Sequence, residues 1–229
     1  MSTIGESPAW RASLLSVYEL VREGILRTWP DCRDRIRSAP IRDYPVPTRR
    51  RRKGKEKLED PITRDLIRRL RLDGEIRTRF LHVESQRELV ESSLDGDPDP
   101  TGYIDIAILF FVGADEACLA LECKRLNVVW PSKRSPTPLA REYVYEGMMR
   151  FVSGQYSKDC DVGGMIGYVM DGNVIAAHES VLQQIKEASE DLLCDPSRMS
   201  ILSYPDYFST THARKPAQIE LRHQLLSGN

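Results

Sequence analysis

The sequence predicts an α/β fold in which a central mixed β-sheet is flanked by helices and preceded by an N-terminal helical extension. Three observations lead there. Residues 103–112 and 117–126 are two consecutive apolar runs separated by Gly113-Ala114-Asp115-Glu116, the pattern of a strand hairpin in the middle of a sheet. Strand and helix patterns then alternate through the C-terminal half, and an amphipathic helix opens the chain.

In chain order, Ser7-Pro8 forms a helix start, and Trp10, Leu14, Val17, Val21 and Ile25 recur at helical spacing, predicting a helix over residues 9–28 that stops at Trp29-Pro30. Residues 38–57, with Pro40, Pro45, Pro47 and a basic run, read as an irregular connector. The expected organisation is therefore a helix with a basic, Pro-rich connector over residues 1–55 and an α/β domain over 56–229. Asp60-Pro61 opens a second helix, 62–72, with Ile62, Leu66, Ile67 and Leu70 on one face and arginines on the other. Residues 77–84 read as a short strand and 86–93 as a polar, helix-like stretch. After the hairpin come a helix over 141–156, a strand over 165–170 ended by Asp171-Gly172, an amphipathic helix over 181–193 and a final strand within 219–226.

With 229 residues, 41% of them hydrophobic and 29% charged, the chain falls outside the disordered and fibrous classes. Its longest apolar run, residues 106–112, is 7 residues, against the roughly 20 of a membrane-spanning helix. Residues 1–10 lack a basic start followed by an apolar core, so a cytoplasmic protein that does not engage membranes is expected. Five cysteines without a C-x-x-C pair point to reduced thiols rather than a disulfide framework or zinc knuckle. No Walker, dinucleotide, zinc-protease or esterase motif occurs. Asp95-x-Asp97-x-Asp99 imitates a calcium loop but has Pro100 where glycine is needed. Gly163-Gly164 and Gly167 read as turn and packing residues rather than a phosphate cradle.

Charge is balanced overall, 33 Lys and Arg against 34 Asp and Glu, but it is segregated along the chain. Residues 33–87 hold 18 basic and 9 acidic residues, whereas residues 88–122 hold 9 acidic residues and no Lys or Arg. This suits a chain that gathers carboxylates for a divalent cation and presents basic surface to a phosphate backbone.

Side chains alternate along a strand, so Cys118, Ala120, Glu122 and Lys124 share one face and Leu119, Leu121 and Cys123 the other. A carboxylate and an ammonium in so apolar a strand are costly to bury unless they are paired or used. Asp105 is the same anomaly on the neighbouring strand. Two adjacent carboxylates repel, and a hard divalent cation relieves that repulsion. Mg²⁺, with Mn²⁺ as a substitute, would lower the pKa of a bound water, with Lys124 orienting that water or neutralising a phosphate.

At these residues the sequence resembles the PD-(D/E)XK, or restriction-endonuclease-like, nuclease superfamily: an Asp on one strand, Glu-x-Lys on the next, and often a further Glu on an upstream helix. Asp105 and Glu122-Cys123-Lys124, 17 residues apart from Asp to Glu, match the central motif, although Gly102-Tyr103-Ile104 replaces the Pro that precedes the Asp in the written motif. The resemblance spans residues 56–170. It implies a restriction-endonuclease-like core, Asp105, Glu122 and the Cys123 backbone carbonyl as metal ligands, Lys124 as catalytic partner, and Glu59 as accessory carboxylate and ligand, with Glu56 and Glu84 as alternatives. Nucleic acid, DNA ahead of RNA, is the implied substrate. Expected contacts to it come from Arg49, Arg50, Arg51, Arg52, Lys53, Lys55, Arg125, Gln155 and Tyr156. Arg150 could also touch phosphate or metal-bound water, but a solvated helix end is its expected role. Trp130 could line the cleft. Arg214, His212 and His223 could contact substrate or a partner subunit, with structural roles expected for the histidines. A chain without ATPase or target-reading motifs suits an effector that acts as a homo-oligomer or with a partner subunit, as in bacterial defence against phage or foreign DNA. The competing readings are an inactive nuclease-like binding module and a scaffold in which the three residues form a buried ion-pair cluster.

Overall fold

A computed structural model describes residues 8–38, 59–89, 102–128, 135–156, 161–214 and 218–229. The basic run at 49–55, Glu56, residues 90–101 and Trp130 lie outside them. The elements are α1 (Pro8–Ser38), α2 (Glu59–Leu70), α3 (Gly74–Thr78), β1 (His82–Leu89), β2 (Gly102–Val112), β3 (Asp115–Leu126), α4 (Ala140–Tyr143), a π-helical turn (Val144–Met148), α5 (Met149–Val152), β4 (Val162–Val169), α6 (Val174–Glu187), β5 (Ser200–Ser203), β6 (Tyr207–Ala213) and β7 (Gln218–Ser227).

The strands form one seven-stranded mixed sheet in the order β1-β2-β3-β4-β7-β6-β5. β2 pairs antiparallel with both β1 and β3. β3, β4 and β7 run parallel, and β6 and β5 close the far edge antiparallel. Strand alternation divides the core. Leu119, Leu121 and Cys123 pack with Leu14, Val21, Ile62 and Leu66 of α1 and α2 on one face. Ala107 and Ala120 pack with Tyr143, Met148, Phe151 and Val181 on the other. The sheet is thus covered by helices on both faces, with β4 buried along its whole length in the centre. Gly164 makes room for the α1 layer, since a Cβ there would stand 2.8 Å from Cε2 of Tyr18.

The predicted hairpin stands where expected. Several other elements differ, each for a tertiary reason. α1 runs through Trp29-Pro30 to Ser38. A proline removes one intrahelical bond, but Trp29 stacks on Tyr168 at 5.5 Å and gives its indole N–H to the Ser227 carbonyl at 2.7 Å, and Cys32 beyond it is fully buried. The strand expected over 77–84 begins with α3, which Asp73 caps by accepting from the Ile76 amide. The polar stretch expected to be helix-like from Gln86 instead continues β1 to Leu89. Its hydrogen bonds to β2 override a polar sequence that suits an edge strand. α6 starts at Asn173, which caps it, rather than at 181. β5 and β6 were not foreseen.

His212 and His223 are core residues joined by a hydrogen-bond chain. The Leu192 carbonyl accepts from Nδ1 of His212 at 2.8 Å. Nε2 of His212 therefore accepts from Thr210 Oγ1 at 2.7 Å, which in turn accepts from Nε2 of His223 at 2.8 Å. Nδ1 of His223 is left to accept from the Tyr143 hydroxyl at 3.0 Å. With both rings neutral, as their burial favours, one acceptor-only carbonyl sets the polarity of the whole chain. Burial pushes His212 down to about 4 and, with the neighbouring His212 and His178 adding to it, depresses His223 well below its ordinary value. Because the unfolded chain takes up these protons near pH 6.5 and the folded chain does not, their stabilisation is complete above that pH and falls as pH drops toward 4, by about 1.4 kcal/mol per pH unit for each ring. Urea unfolding midpoints measured in this window should shift less with pH in His212→Gln than in wild type; equal slopes would contradict the neutral chain.

Candidate active site

β2 and β3 pair from Val112 and Asp115 as far as Ile106 and Leu121. Beyond that point β3 continues to Leu126 against β4, while no further rung joins it to β2. Asp105 is the first residue past the last rung. Its Oδ2 accepts from the Cys123 amide at 2.8 Å, so a side-chain carboxylate takes the place of the missing backbone acceptor. The N–H and C=O of one strand residue point to the same side, which places the Cys123 carbonyl in this fork as well; Lys124 Nζ stands 3.3 Å from it.

Glu122 and Lys124 project from the same face of β3, as strand alternation predicts. Glu122 is fully buried and Lys124 is 3% exposed. The Lys124 ammonium donates to Oε1 of Glu122, and Arg150 Nη1 reaches the same oxygen at 3.1 Å. Oε2 of Glu122 is buried without a hydrogen-bond partner, a state that costs about 1–3 kcal/mol or more for a charged group. Burial alone would lower the Lys124 pKa, but the carboxylates of Glu122, Asp105 and Glu59 together hold it above its ordinary value. Asp105 is pushed up to about 7, chiefly by burial and then by the charge of Glu122, against the opposing pull of Lys124 and the Cys123 amide.

Glu59, the first residue of α2, is buried, with Oε2 3.9 Å from Nε of Arg125. Its charge registers at both Asp105 and Lys124. Glu84 sits on the edge strand between His82 and Arg87, at 3.5 and 3.8 Å. Among the described residues, no three His, Cys, Asp or Glu side chains converge as a metal cage. Asp105, the unpartnered Oε2 of Glu122 and the Cys123 carbonyl are two carboxylates and a backbone oxygen, donors of the type a hard cation takes.

Arg125 turns to the α2 face, opposite to Lys124, and meets Glu59. Gln155 lies over Gly102 at the start of β2. Tyr156 is fully buried, receives a hydrogen bond from Arg150 and donates to the Tyr103 carbonyl, so its hydroxyl braces α5 against β2. Arg150 is not a solvated helix end: it is drawn into the centre by Glu122. It lies in α5 directly after the π-helical turn, a feature frequent at functional sites. Gly147 in that turn packs against the Lys124 stem, where a Cβ would lie 3.6 Å from Lys124 Cγ. Sequence spacing carried no sign of this approach. Arg214 is buried and donates to the Phe151 carbonyl at 3.3 Å.

Neither family models, curated proteins nor solved structures match the chain.

The raised Asp105 pKa means that the folded chain holds a proton between about pH 4 and 7 that the unfolded chain releases. Its contribution to stability is therefore lost as pH rises through 7, at a cost of about 4 kcal/mol above it. Asp105→Asn keeps an acceptor for the Cys123 amide without the charge. Metal-free, it should melt well above wild type at pH 8 and match it at pH 4; a variant less stable than wild type at pH 8 would show that the ionised carboxylate is not under strain.

Proposed function

We propose that the chain is a divalent-metal-dependent phosphodiesterase acting on nucleic acid, DNA in the first instance, built on a restriction-endonuclease-like core. The observation that carries this reading is the fork itself: Asp105 accepts from the Cys123 amide, Oε2 of the neighbouring Glu122 is unpartnered, and the Lys124 ammonium stands 3.3 Å from the Cys123 carbonyl. Support for the core comes from three antiparallel strands followed by helix α4–α5 and a parallel strand, with the two acidic residues on the second and third.

In this reading Asp105, Glu122 and the Cys123 carbonyl hold Mg²⁺ or Mn²⁺, with Glu59 as accessory carboxylate. The cation supplies an acidified water and neutralises charge on the phosphodiester. Lys124, held cationic by three carboxylates, donates hydrogen bonds and offsets phosphate charge; it does not accept a proton near neutral pH. Glu59 keeps Lys124 charged from the α2 side. A role as a defence effector, alone as an oligomer or with a partner subunit, is compatible with the same reading.

One observation favours a second reading, a nuclease-like binding module without catalysis: two cations already neutralise Oε1 of Glu122. Mg²⁺-dependent cleavage of circular and linear, double- and single-stranded DNA and of RNA separates the two. Wild type should cut at least one of these, and folded Glu122→Ala and Lys124→Ala should lose at least a hundredfold in rate. Mg²⁺ or Mn²⁺ should also raise the melting temperature of wild type and not of Asp105→Ala. Absence of both cleavage and a thermal shift would favour the binding module.

A further inference from the structure

Arg150 is bound in an unusual way for an arginine beside a carboxylate. Such pairs are favourable as parallel, two-nitrogen forks. Here Nη1 alone makes both contacts, to Oε1 of Glu122 at 3.1 Å and to the Tyr156 hydroxyl. Tyr156 is itself fixed to the Tyr103 carbonyl, and the guanidinium lies 5.5 Å from the Tyr156 ring. Oε2 of Glu122, which a fork would have satisfied, is left unpartnered. Charge balance does not require the arginine, because the buried Lys124 already pairs with Glu122. The Nε–Nη2 edge makes no hydrogen bond among the described residues, and the side chain is 33% exposed, the open member of an otherwise buried cluster.

We infer that Arg150 is the phosphate-binding residue of this centre, its Nη1 tethered to Glu122 and Tyr156 so that the Nε–Nη2 edge receives a nucleic-acid phosphate as a bidentate fork. This rests on the proposed function for the identity of the ligand. The tether removes most of the rotamer freedom that an arginine loses on binding, so the fork is organised before substrate arrives. Its anchor on Glu122 places the captured phosphate beside the carboxylate proposed to hold the metal. Tyr156 then acts as a positioning residue rather than a contact.

The test is binding of a fluorescent DNA duplex and a fluorescent single strand in EDTA, where affinity is read without metal or cleavage, over a series of salt concentrations. Arg150→Ala should bind about tenfold more weakly, and the slope of log Kd against log salt should fall by about one. Arg150→Lys should keep the wild-type slope but bind severalfold more weakly, because an ammonium lacks the fork. Wild-type affinity in Arg150→Lys would overturn the bidentate geometry, and an unchanged slope in folded Arg150→Ala would overturn the subsite. Thermal unfolding confirms that each variant is folded; should Arg150→Ala fail there, Arg150→Lys and Arg150→Gln carry the comparison. A wild type that never cuts yet shows the Arg150-dependent slope keeps the subsite and removes the nuclease reading. A wild type that cuts while Arg150→Ala binds unchanged does the reverse, and no binding to either probe overturns the inference.

Discussion

Past Ile106 and Leu121 the central strand β3 keeps its partner on one side and loses it on the other, leaving the Cys123 amide to be satisfied from the fork. A buried N–H without an acceptor is rarely tolerated. Asp105 provides that acceptor, and in doing so brings a carboxylate to within reach of a second one, Glu122, on the same face. The charged cluster follows from that substitution. Lys124 and Arg150 offset the two acids in part, but both converge on one oxygen of Glu122 and leave the other bare. A fold selected for stability alone would fill such a position with apolar residues of similar volume.

Two helical layers reach this fork from opposite faces of the sheet. α2 brings Glu59 to Arg125 on one face, and its charge is still felt at Lys124 on the other. The π-helical turn and α5 bring Gly147 against the Lys124 stem and Arg150 against Glu122. The Thr63 hydroxyl of α2 meets the Tyr168 hydroxyl of β4 at 3.0 Å, behind the buried Cys123. The acidic pair is therefore held where β2 parts from β3, with its supporting charges supplied by separate elements.

The hairpin and the common face of Glu122 and Lys124 were legible because period-two alternation needs no tertiary information. Asp105 stood out for the same reason, as a charge in an apolar strand. The edges of the sheet were not legible. β1 is polar because it is an edge strand, and β6, Tyr207–Ala213, mixes Phe, Ser, Thr and His because its polar groups are satisfied by β7 and by the His212–Thr210–His223 chain. Neither pattern can be separated from a loop until the partners are known. The helix through Pro30 depends on Trp29 meeting Tyr168, residues 139 positions apart in sequence.

Arg150 and Tyr156 show the limit most clearly, because the structure places both otherwise than their residue types suggest. Both lie near the end of the same helical stretch, and a tyrosine there suggests contact with substrate while an arginine suggests solvent. α5 ends at Val152, and the chain turns at Ser153 and Gly154, the latter at a φ of 79°. With that turn, Arg150 faces Glu122, and Tyr156 is folded back beneath it onto the Tyr103 carbonyl. The buried hydroxyl finds its acceptor in the backbone of β2, two residues before Asp105, so the strand that supplies the first carboxylate also braces the arginine bound to the second. Residue type set the available chemistry; the end of α5 between the two residues decided which side chain reached the centre.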